Sequence, residues 1–148
     1  MPDRLASFPI SNPAADAEVF LQGAHLTSWI PRGRKPVLFT SAHSFYEPGK
    51  PIRGGVPIIF PWFGPRHDGL PGPAHGLART ALWRVVSEAP ELTLALEIEQ
   101  AELEFRIDAG ESLHMSLTVR NLASQPLVFE NALHTYFAVA DVRRISIS

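Results

Sequence analysis

Two segments of the sequence place arginine and histidine side chains next to glycine. Residues 52–57 put Arg53 directly before a pair of glycines, and residues 74–79 put His75 and Arg79 on either side of a single glycine. Paired glycines allow a backbone to adopt positive φ or to approach a ligand closely. An arginine beside them can be aimed inward as a planar, bidentate donor. Taken singly, each segment is more typical of an ordinary surface turn, so its significance depends on its surroundings.

A third segment combines a histidine with aromatic side chains. His134 follows Leu133 and precedes Tyr136 and Phe137. On an extended strand His134 and Tyr136 share one face, whereas Leu133 and Phe137 lie on the other. A single histidine in such a strand is more typical of a neutral core residue that is hydrogen-bonded within the sheet. The other histidines have no similar set of polar or aromatic neighbours in sequence: His25, His43, His67 and His114. Of these, His114 is assigned to a solvent-facing position and the others are left unassigned.

Alternation with a period of two predicts the strands that must position these segments. Apolar and polar side chains alternate clearly over residues 92–98 and over residues 113–119, as in strands with one buried face. Shorter stretches of this type are residues 18–21 and 25–30, which form a hairpin around Gly23, and residues 37–39, 80–86, 105–108, 127–129 and 133–139. Frequent proline and glycine leave little room for long helices. The sequence therefore predicts an all-β fold, an antiparallel meander within a β-sandwich.

Residues 40–77 are predicted to be mostly loop because prolines interrupt them repeatedly. Loops of this length inside a compact domain are usually either functional or disordered. The tryptophan, phenylalanine, arginine and histidine in this one favour a functional loop. No repeat, low-complexity tract or linker is found, and residues 1–148 are predicted to form a single unit.

Composition excludes several classes of function. The formal net charge is −2 and the basic residues are dispersed, so no nucleic-acid partner is expected. The absence of cysteine excludes disulfides, thiol nucleophiles and cysteine-ligated metals, and fits a cytoplasmic location. The longest apolar stretch, residues 56–63, contains two prolines and is too short to cross a bilayer. Residues 1–13 lack the apolar run of a secretory signal, so a soluble protein without a membrane partner is predicted.

Taken together, the segments resemble those of a known enzyme family. Arg53–Pro57, Phe60–Pro65, His75–Arg79 and Leu133–Phe137 are similar in order and spacing to segments of the hexose-6-phosphate mutarotases. These enzymes are the glucose-6-phosphate 1-epimerase branch of the aldose 1-epimerase superfamily. The resemblance implies the galactose-mutarotase-like supersandwich, in agreement with the all-β prediction. It also implies an isomerase that interconverts the α and β anomers of a hexose 6-phosphate without a metal or an organic cofactor.

The resemblance implies roles for four residues. His134 matches the catalytic histidine that protonates the ring oxygen of the sugar. Arg53 and Arg79 match the arginines that contact the sugar phosphate, and His75 is implied to lie in the same pocket. A glutamate base that acts on the anomeric hydroxyl is implied to come from a later part of the family's chain.

Independently of the resemblance, anomer exchange on a sugar phosphate requires groups that donate and accept protons and groups that bind the phosphate. Opening a pyranose ring removes a proton from the C1 hydroxyl while another proton is delivered to the ring oxygen, and the transfers then reverse. Histidine can hold or release a proton near neutral pH. Guanidinium groups form charge-assisted hydrogen bonds with a phosphate dianion. Either Trp62 or Phe63 can stack on the apolar face of a sugar, although core packing explains either residue equally well.

The sequence departs from the family in two places. Family members often carry glutamine before the His-Gly pair, where this chain has Ala74. Family chains also continue well past Ser148 into the region with the catalytic glutamate, and none of the glutamates present matches that motif. Glu130 lies four residues from His134, which places it about 13 Å away along a strand. We therefore expect the N-terminal portion of a β-sandwich domain, incomplete at its C-terminus.

Two alternatives remain open at this stage. If the chain is the whole polypeptide, it is expected to have little or no mutarotase activity and exposed sheet edges that favour self-association. It would then be a catalytically silent module that binds sugar phosphate. A cupin-like sandwich with His75 and His134 as metal ligands is disfavoured, because the sequence lacks a tight histidine cluster with a nearby carboxylate.

Overall fold

The structure is a computed structural model that describes residues 5–148, so residues 1–4, the start of the N-terminal segment considered above, lie outside the described part. Its first sheet is antiparallel and has the order β1-β2-β3. The strands are β1 (Ser7–Ser11), β2 (Ala15–Phe20) and β3 (His25–Pro31). A short ladder joins β4 (Ile58–Ile59) to β9 (Ala132–Leu133).

The second large sheet is an antiparallel meander of four strands. It contains β5 (Arg84–Ser87), β6 (Leu92–Ile98), β7 (Ala101–Ala109) and β8 (Leu113–Asn121). Two short 3-10 turns, Ala78–Thr80 and Val142–Arg144, complete the regular elements of the described residues. The all-β, antiparallel prediction is confirmed, and the two most regular alternations in the sequence form β6 and most of β8. No helix within residues 5–148 is long and apolar enough to cross a membrane.

Several element boundaries differ from the sequence-based prediction. β1 was not predicted, because its Pro9 obscures the alternation; proline is tolerated there since β1 is an edge strand. β7 begins at Ala101 rather than Phe105, because Glu102 and Glu104 lie on the solvent side while Leu103 is buried.

The strands predicted for residues 37–39, 127–129 and 133–139 are wrong for most of their length. Residues 127–129 have no ladder partner, and the last stretch is a strand only where Ala132–Leu133 pairs with β4. Beyond it, a single bridge joins Leu38 to Phe137. Polar and apolar side chains also alternate over residues 144–148, but no strand forms there, because a strand requires a neighbouring backbone and not only a pattern.

The core lies between the first sheet and the meander. Alternate residues of β7 are buried, among them Leu103, Phe105 and Ile107, and they pack in one cluster with Val19 of β2 and with Trp83. Full burial of such a side chain stabilises the fold by about 1.5–3 kcal/mol. The sheets are also joined by polar contacts at one end: the side chains of Asn12 and Trp29 donate hydrogen bonds to the carbonyls of Ala109 and Gly110, at 3.0 and 3.3 Å.

Candidate functional site

The loop that carries Arg53 is held by backbone contacts that require its two glycines. Gly54 and Gly55 have φ values of 112° and 62°. A Cβ atom on either residue would collide with the neighbouring backbone, at Phe39 for Gly54 and at Leu26 for Gly55. The Gly55 amide donates to the Phe39 carbonyl at 2.7 Å. The Arg53 side chain is therefore exposed to solvent, while the two glycines that follow it are buried.

The loop that carries His75 and Arg79 is held in a different way. His75 has a φ of 67°, a strained conformation for a residue with a side chain. Its amide donates to the Gly64 carbonyl at 2.7 Å, and its ring Nδ1 accepts a hydrogen bond from the Gly64 amide at 3.1 Å. Because Nδ1 accepts, the neutral ring carries its proton on Nε2. Arg79 lies on the 3-10 turn Ala78–Thr80, and its Nη2 donates to the Ala74 carbonyl at 2.7 Å.

His134 is brought to these loops by the segment that follows β9. The His134 amide donates to the Pro57 carbonyl at 3.0 Å, and the Tyr136 amide donates to the Gly55 carbonyl at 2.9 Å. The segment therefore runs directly beside the glycine pair. The ring centroids of His134 and His75 are 5.9 Å apart.

Three rings form a row across the site. The His134 ring stacks on Tyr136 with centroids 4.9 Å apart, and it is nearly parallel to Phe63, at 12° and 6.2 Å. His75 meets the edge of this row, 4.9 Å from the Phe63 ring at 76°. Phe63 is 46% exposed and Tyr136 is 40% exposed. The row therefore presents aromatic surface to solvent with an imidazole at its centre.

The structure distinguishes between the two aromatic residues proposed to stack on a ligand. Trp62 is only 8% exposed, and its indole N–H donates to the Pro73 carbonyl at 2.9 Å. The guanidinium of Arg66 covers its ring at 4.5 Å. Trp62 therefore packs the loop, whereas Phe63 is the residue available to a ligand.

Positive charge accumulates at the site without a counter-ion. Within residues 5–148 neither Arg53 nor Arg79 forms a salt bridge with a carboxylate. Burial lowers the pKa of Arg79, and the nearby charge of Arg53 lowers it further. Burial also lowers the pKa of His75, with smaller effects from Arg79 and His134. Because these groups repel one another, a bound anion would stabilise the arrangement.

In the part of the chain that the structure describes, no carboxylate pairs with the arginines of this cluster. Glu130 accepts a hydrogen bond from the Phe63 amide at 2.7 Å, so it fixes the loop that presents the Phe63 ring. Among the described residues no group of three or more histidine, aspartate or glutamate side chains is placed to hold a metal ion. The Nδ1 atom of His134 is buried and has no hydrogen-bond partner among the described residues.

The four residues singled out from the sequence lie around one surface region. His75 and His134 are in ring contact, and Arg79 is electrostatically coupled to both Arg53 and His75. Sequence reasoning did not assign Tyr136 to the site, although its position two residues after His134 is the signal that could have found it.

The sequence of this chain matches a known protein family. The aldose 1-epimerase family matches residues 7–148. An Escherichia coli protein named "putative glucose-6-phosphate 1-epimerase" is 36% identical over 99% of this chain and 53% of its own length. A protein of the same name from Cenchrus ciliaris is 31% identical over 88% of this chain and 46% of its own length. The chain thus spans about half the length of the curated relatives it matches.

The fold of this chain also matches solved structures of mutarotase-like proteins. A Salmonella typhimurium structure described as a "putative mutarotase" superposes with a TM-score of 0.82 at 33% identity, covering 95% of this chain and 51% of that one. A galactose mutarotase-like protein from Lactobacillus casei superposes with a TM-score of 0.66 at 20% identity, over 81% of this chain and 46% of that one. The second likeness concerns the fold alone, and both agree with the galactose-mutarotase-like architecture.

Proposed function

Because the chain belongs to the aldose 1-epimerase family, we propose that its site binds a hexose 6-phosphate and serves the interconversion of its α and β anomers. The names of the relatives suggest this substrate, since the matches from Escherichia coli and Cenchrus ciliaris are called glucose-6-phosphate 1-epimerases. The cysteine-free composition fits a cytoplasmic location, which is part of the same proposal. The proposal concerns the activity of the whole protein, and this chain spans about half the length of the curated relatives it matches.

The observation that carries the proposal is a pair of guanidinium groups that have no carboxylate partner within residues 5–148. Arg53 and Arg79 are close enough for the charge of one to lower the pKa of the other. A sugar phosphate is dianionic near neutral pH, and two fixed guanidiniums offer it charge-assisted, bidentate hydrogen bonds. The phosphate would relieve the repulsion between the arginines and anchor the sugar beside the aromatic row.

His134 is the proposed proton donor. When the bond between C1 and the ring oxygen breaks, the ring oxygen takes a proton from His134 while the C1 hydroxyl loses its proton to a base, which leaves an open-chain aldehyde. Rotation about the C1–C2 bond followed by the reverse transfers closes the ring as the other anomer. Each positioned proton transfer contributes on the order of 10²–10⁴-fold. Phe63 and Tyr136 flank His134 and offer ring faces against which the sugar can pack.

The base is proposed to be a glutamate from the half of the family's chain that lies outside this match. The carboxylate nearest in sequence, Glu130, already accepts the Phe63 amide. This observation also favours a second candidate function, in which this chain binds sugar phosphate without accelerating anomer exchange. In both cases Arg53, His75 and Arg79 bind the ligand.

Titration of the 148-residue chain with glucose 6-phosphate separates the two functions. Calorimetry measures binding, and NMR exchange spectroscopy measures the rate of anomer interconversion in the same sample. Saturable binding with exchange above the uncatalysed rate supports the mutarotase. Because the proposed base lies outside these residues, binding with an unchanged exchange rate supports the binding module for this chain alone and leaves the mutarotase proposal to a protein that also supplies the base; the absence of binding contradicts both.

Replacement of His134 by alanine tests its role as the acid. In a protein that catalyses exchange, His134→Ala is expected to lose most of the rate while it keeps its affinity for glucose 6-phosphate. His114→Ala is the matched control, because His114 is exposed on the outer face of β8. Retention of the wild-type rate in His134→Ala would exclude the proposed acid.

A further inference from the structure

The turn between β2 and β3 lies beneath both loops that carry the arginines. Gln22 is 5% exposed; its side-chain amide donates to the Lys50 carbonyl at 2.9 Å and accepts from the Gly49 amide at 2.8 Å. It thereby fixes the start of the loop that leads to Arg53. The side chains of Gln22, Ala24 and His25 (the first residue of β3) are buried, so these residues can act on a ligand only through the loops that they hold.

Gly23 holds the loop that carries Arg79. Its amide donates to the Ala81 carbonyl at 2.7 Å, and a Cβ atom at this position would collide with the Arg79 carbonyl oxygen. The φ of Gly23 is 81°, a conformation that favours glycine. Any larger residue at this position would therefore push the Arg79 backbone away from the turn.

His25 holds the loop that carries Arg53. Its ring is 1% exposed, and its Nε2 lies 2.6 Å from the Gly54 carbonyl oxygen. Because a carbonyl oxygen can only accept, Nε2 must carry the proton and donate it. The Gly54 carbonyl is buried, so without this donor it would lose a hydrogen bond.

Electrostatics keep this imidazole in the neutral form that the contact needs. Burial lowers the pKa of His25 to about 4, and the charge of Arg79 acts in the same direction against the opposing effect of the Gly54 hydrogen bond. The Nδ1 atom of His25 is buried and has no partner among residues 5–148, so a second proton there would have no acceptor among them. His25 is therefore a neutral donor near physiological pH.

We propose that the β2–β3 turn sets the spacing of the two guanidinium groups, with His25 as the positioning residue for Arg53 and Gly23 as the positioning residue for Arg79. The inference rests on the proposed function, in which both arginines bind one phosphate. Two loops that are distant in sequence then share a single support, so the spacing of the arginines is fixed before a ligand arrives. Such preorganisation reduces the ordering that binding would otherwise require.

Double-mutant cycles for glucose 6-phosphate binding to the 148-residue chain test this inference. His25→Phe keeps a ring but removes the donor, and is expected to weaken binding about tenfold. In that background Arg53→Ala should have little further effect, whereas Arg79→Ala should keep its full effect. In the Gly23→Ala background, Arg79→Ala should have little further effect and Arg53→Ala should keep its full effect. His25→Gln, whose amide can donate to the same carbonyl, is expected to restore affinity, and additive effects in both cycles would overturn the inference.

A readout without ligand separates failure of the inference from failure of the proposed function. The Ser41 amide donates to the Arg53 carbonyl at 2.8 Å, and the Leu77 amide donates to the Phe60 carbonyl at 2.8 Å. His25→Phe should speed hydrogen exchange at Ser41 and leave Leu77 unchanged, and His25→Leu serves if the phenylalanine variant does not fold. Equal exchange rates in wild type and variant would overturn the positioning role. Faster exchange at Ser41 together with arginine variants that bind as wild type would instead contradict the phosphate site and leave the positioning role standing.

Discussion

The two sides of this molecule differ in how completely they are covered. On the closed side, which comprises β2, β3, β7 and the loops of residues 53–57 and 75–83, the core side chains are almost without solvent contact; Leu26, Phe105 and Val56 are 0% exposed. On the open edge, which comprises β8 and residues 122–148, the inward-facing Leu117 and Met115 are only partly buried. Val128 and Ile147 are 92% and 95% exposed.

This difference bears on how the proposed binding and the proposed catalysis are divided along the chain. The backbones of the arginine loops belong to the closed side, so the geometry proposed to bind an anion depends on elements within this chain. His134 lies at the border between the two sides, half-buried and attached to the Pro57 carbonyl. The proposed base is expected in the part of the family's chain that lies outside this match, since the chain covers 53% of the Escherichia coli relative.

Truncation of matched leucines should reveal the difference in stability. Leu103 of β7 is 0% exposed, whereas Leu117 of β8 is partly buried. Leu103→Ala should lower the free energy of unfolding by about 2–5 kcal/mol, and Leu117→Ala by about 1 kcal/mol, because less apolar area leaves contact. Urea denaturation followed by tryptophan fluorescence measures both. Equal losses would mean that the open edge is covered in solution.

The buried imidazole of the closed side should make stability depend on pH. The pKa of His25 is about 4 in the folded chain against 6.5 for the free group. As pH falls below 6.5, His25 becomes protonated in the unfolded chain but stays neutral in the folded chain. The free energy of unfolding should therefore fall by about 3 kcal/mol on reaching pH 4. His25→Gln lacks this effect, and the difference between its stability curve and that of wild type isolates it from other groups. Parallel curves would contradict a buried, neutral His25.

Binding should depend on arginines of the closed side and not on those of the open edge. Arg79→Ala should weaken glucose 6-phosphate binding about 10- to 100-fold, through loss of a charge-assisted hydrogen bond. Arg143→Ala, the matched control, removes an exposed guanidinium that is already paired with Asp141 at 2.9 Å and should leave the affinity unchanged. Isothermal titration calorimetry measures both variants. Equal weakening by the two changes would point to non-specific attraction of an anion.

What the sequence could reveal follows the regularity of the local pattern and not the division into closed side and open edge. β6 and most of β8 were predictable because alternation records which face is buried. Residues 127–129 show apolar character without forming a strand, since no backbone within residues 5–148 pairs with them. For the site, the glycines beside Arg53 and His75 are local signals, and the family resemblance connected them. The contact of His25 with Gly54 joins residues 29 positions apart and leaves no local pattern, so only the fold could reveal it.

Self-association, which was expected from exposed sheet edges, is proposed to occur through the open edge and to be the weakest of these effects. Copies of the chain could meet through the inner apolar face of the open edge or by pairing the backbones of their edge strands. Two neighbouring residues of β8 distinguish these two routes, because Leu117 faces inward and Thr118 faces solvent. If copies meet through the inner apolar face, Leu117→Lys should lower the association constant by about five- to tenfold, and Thr118→Lys should have little effect. If copies pair their edge backbones, both lysines should weaken association to a similar degree. Sedimentation velocity over a range of concentrations measures the constants, and a wild-type chain that stays monomeric at every concentration would contradict both routes.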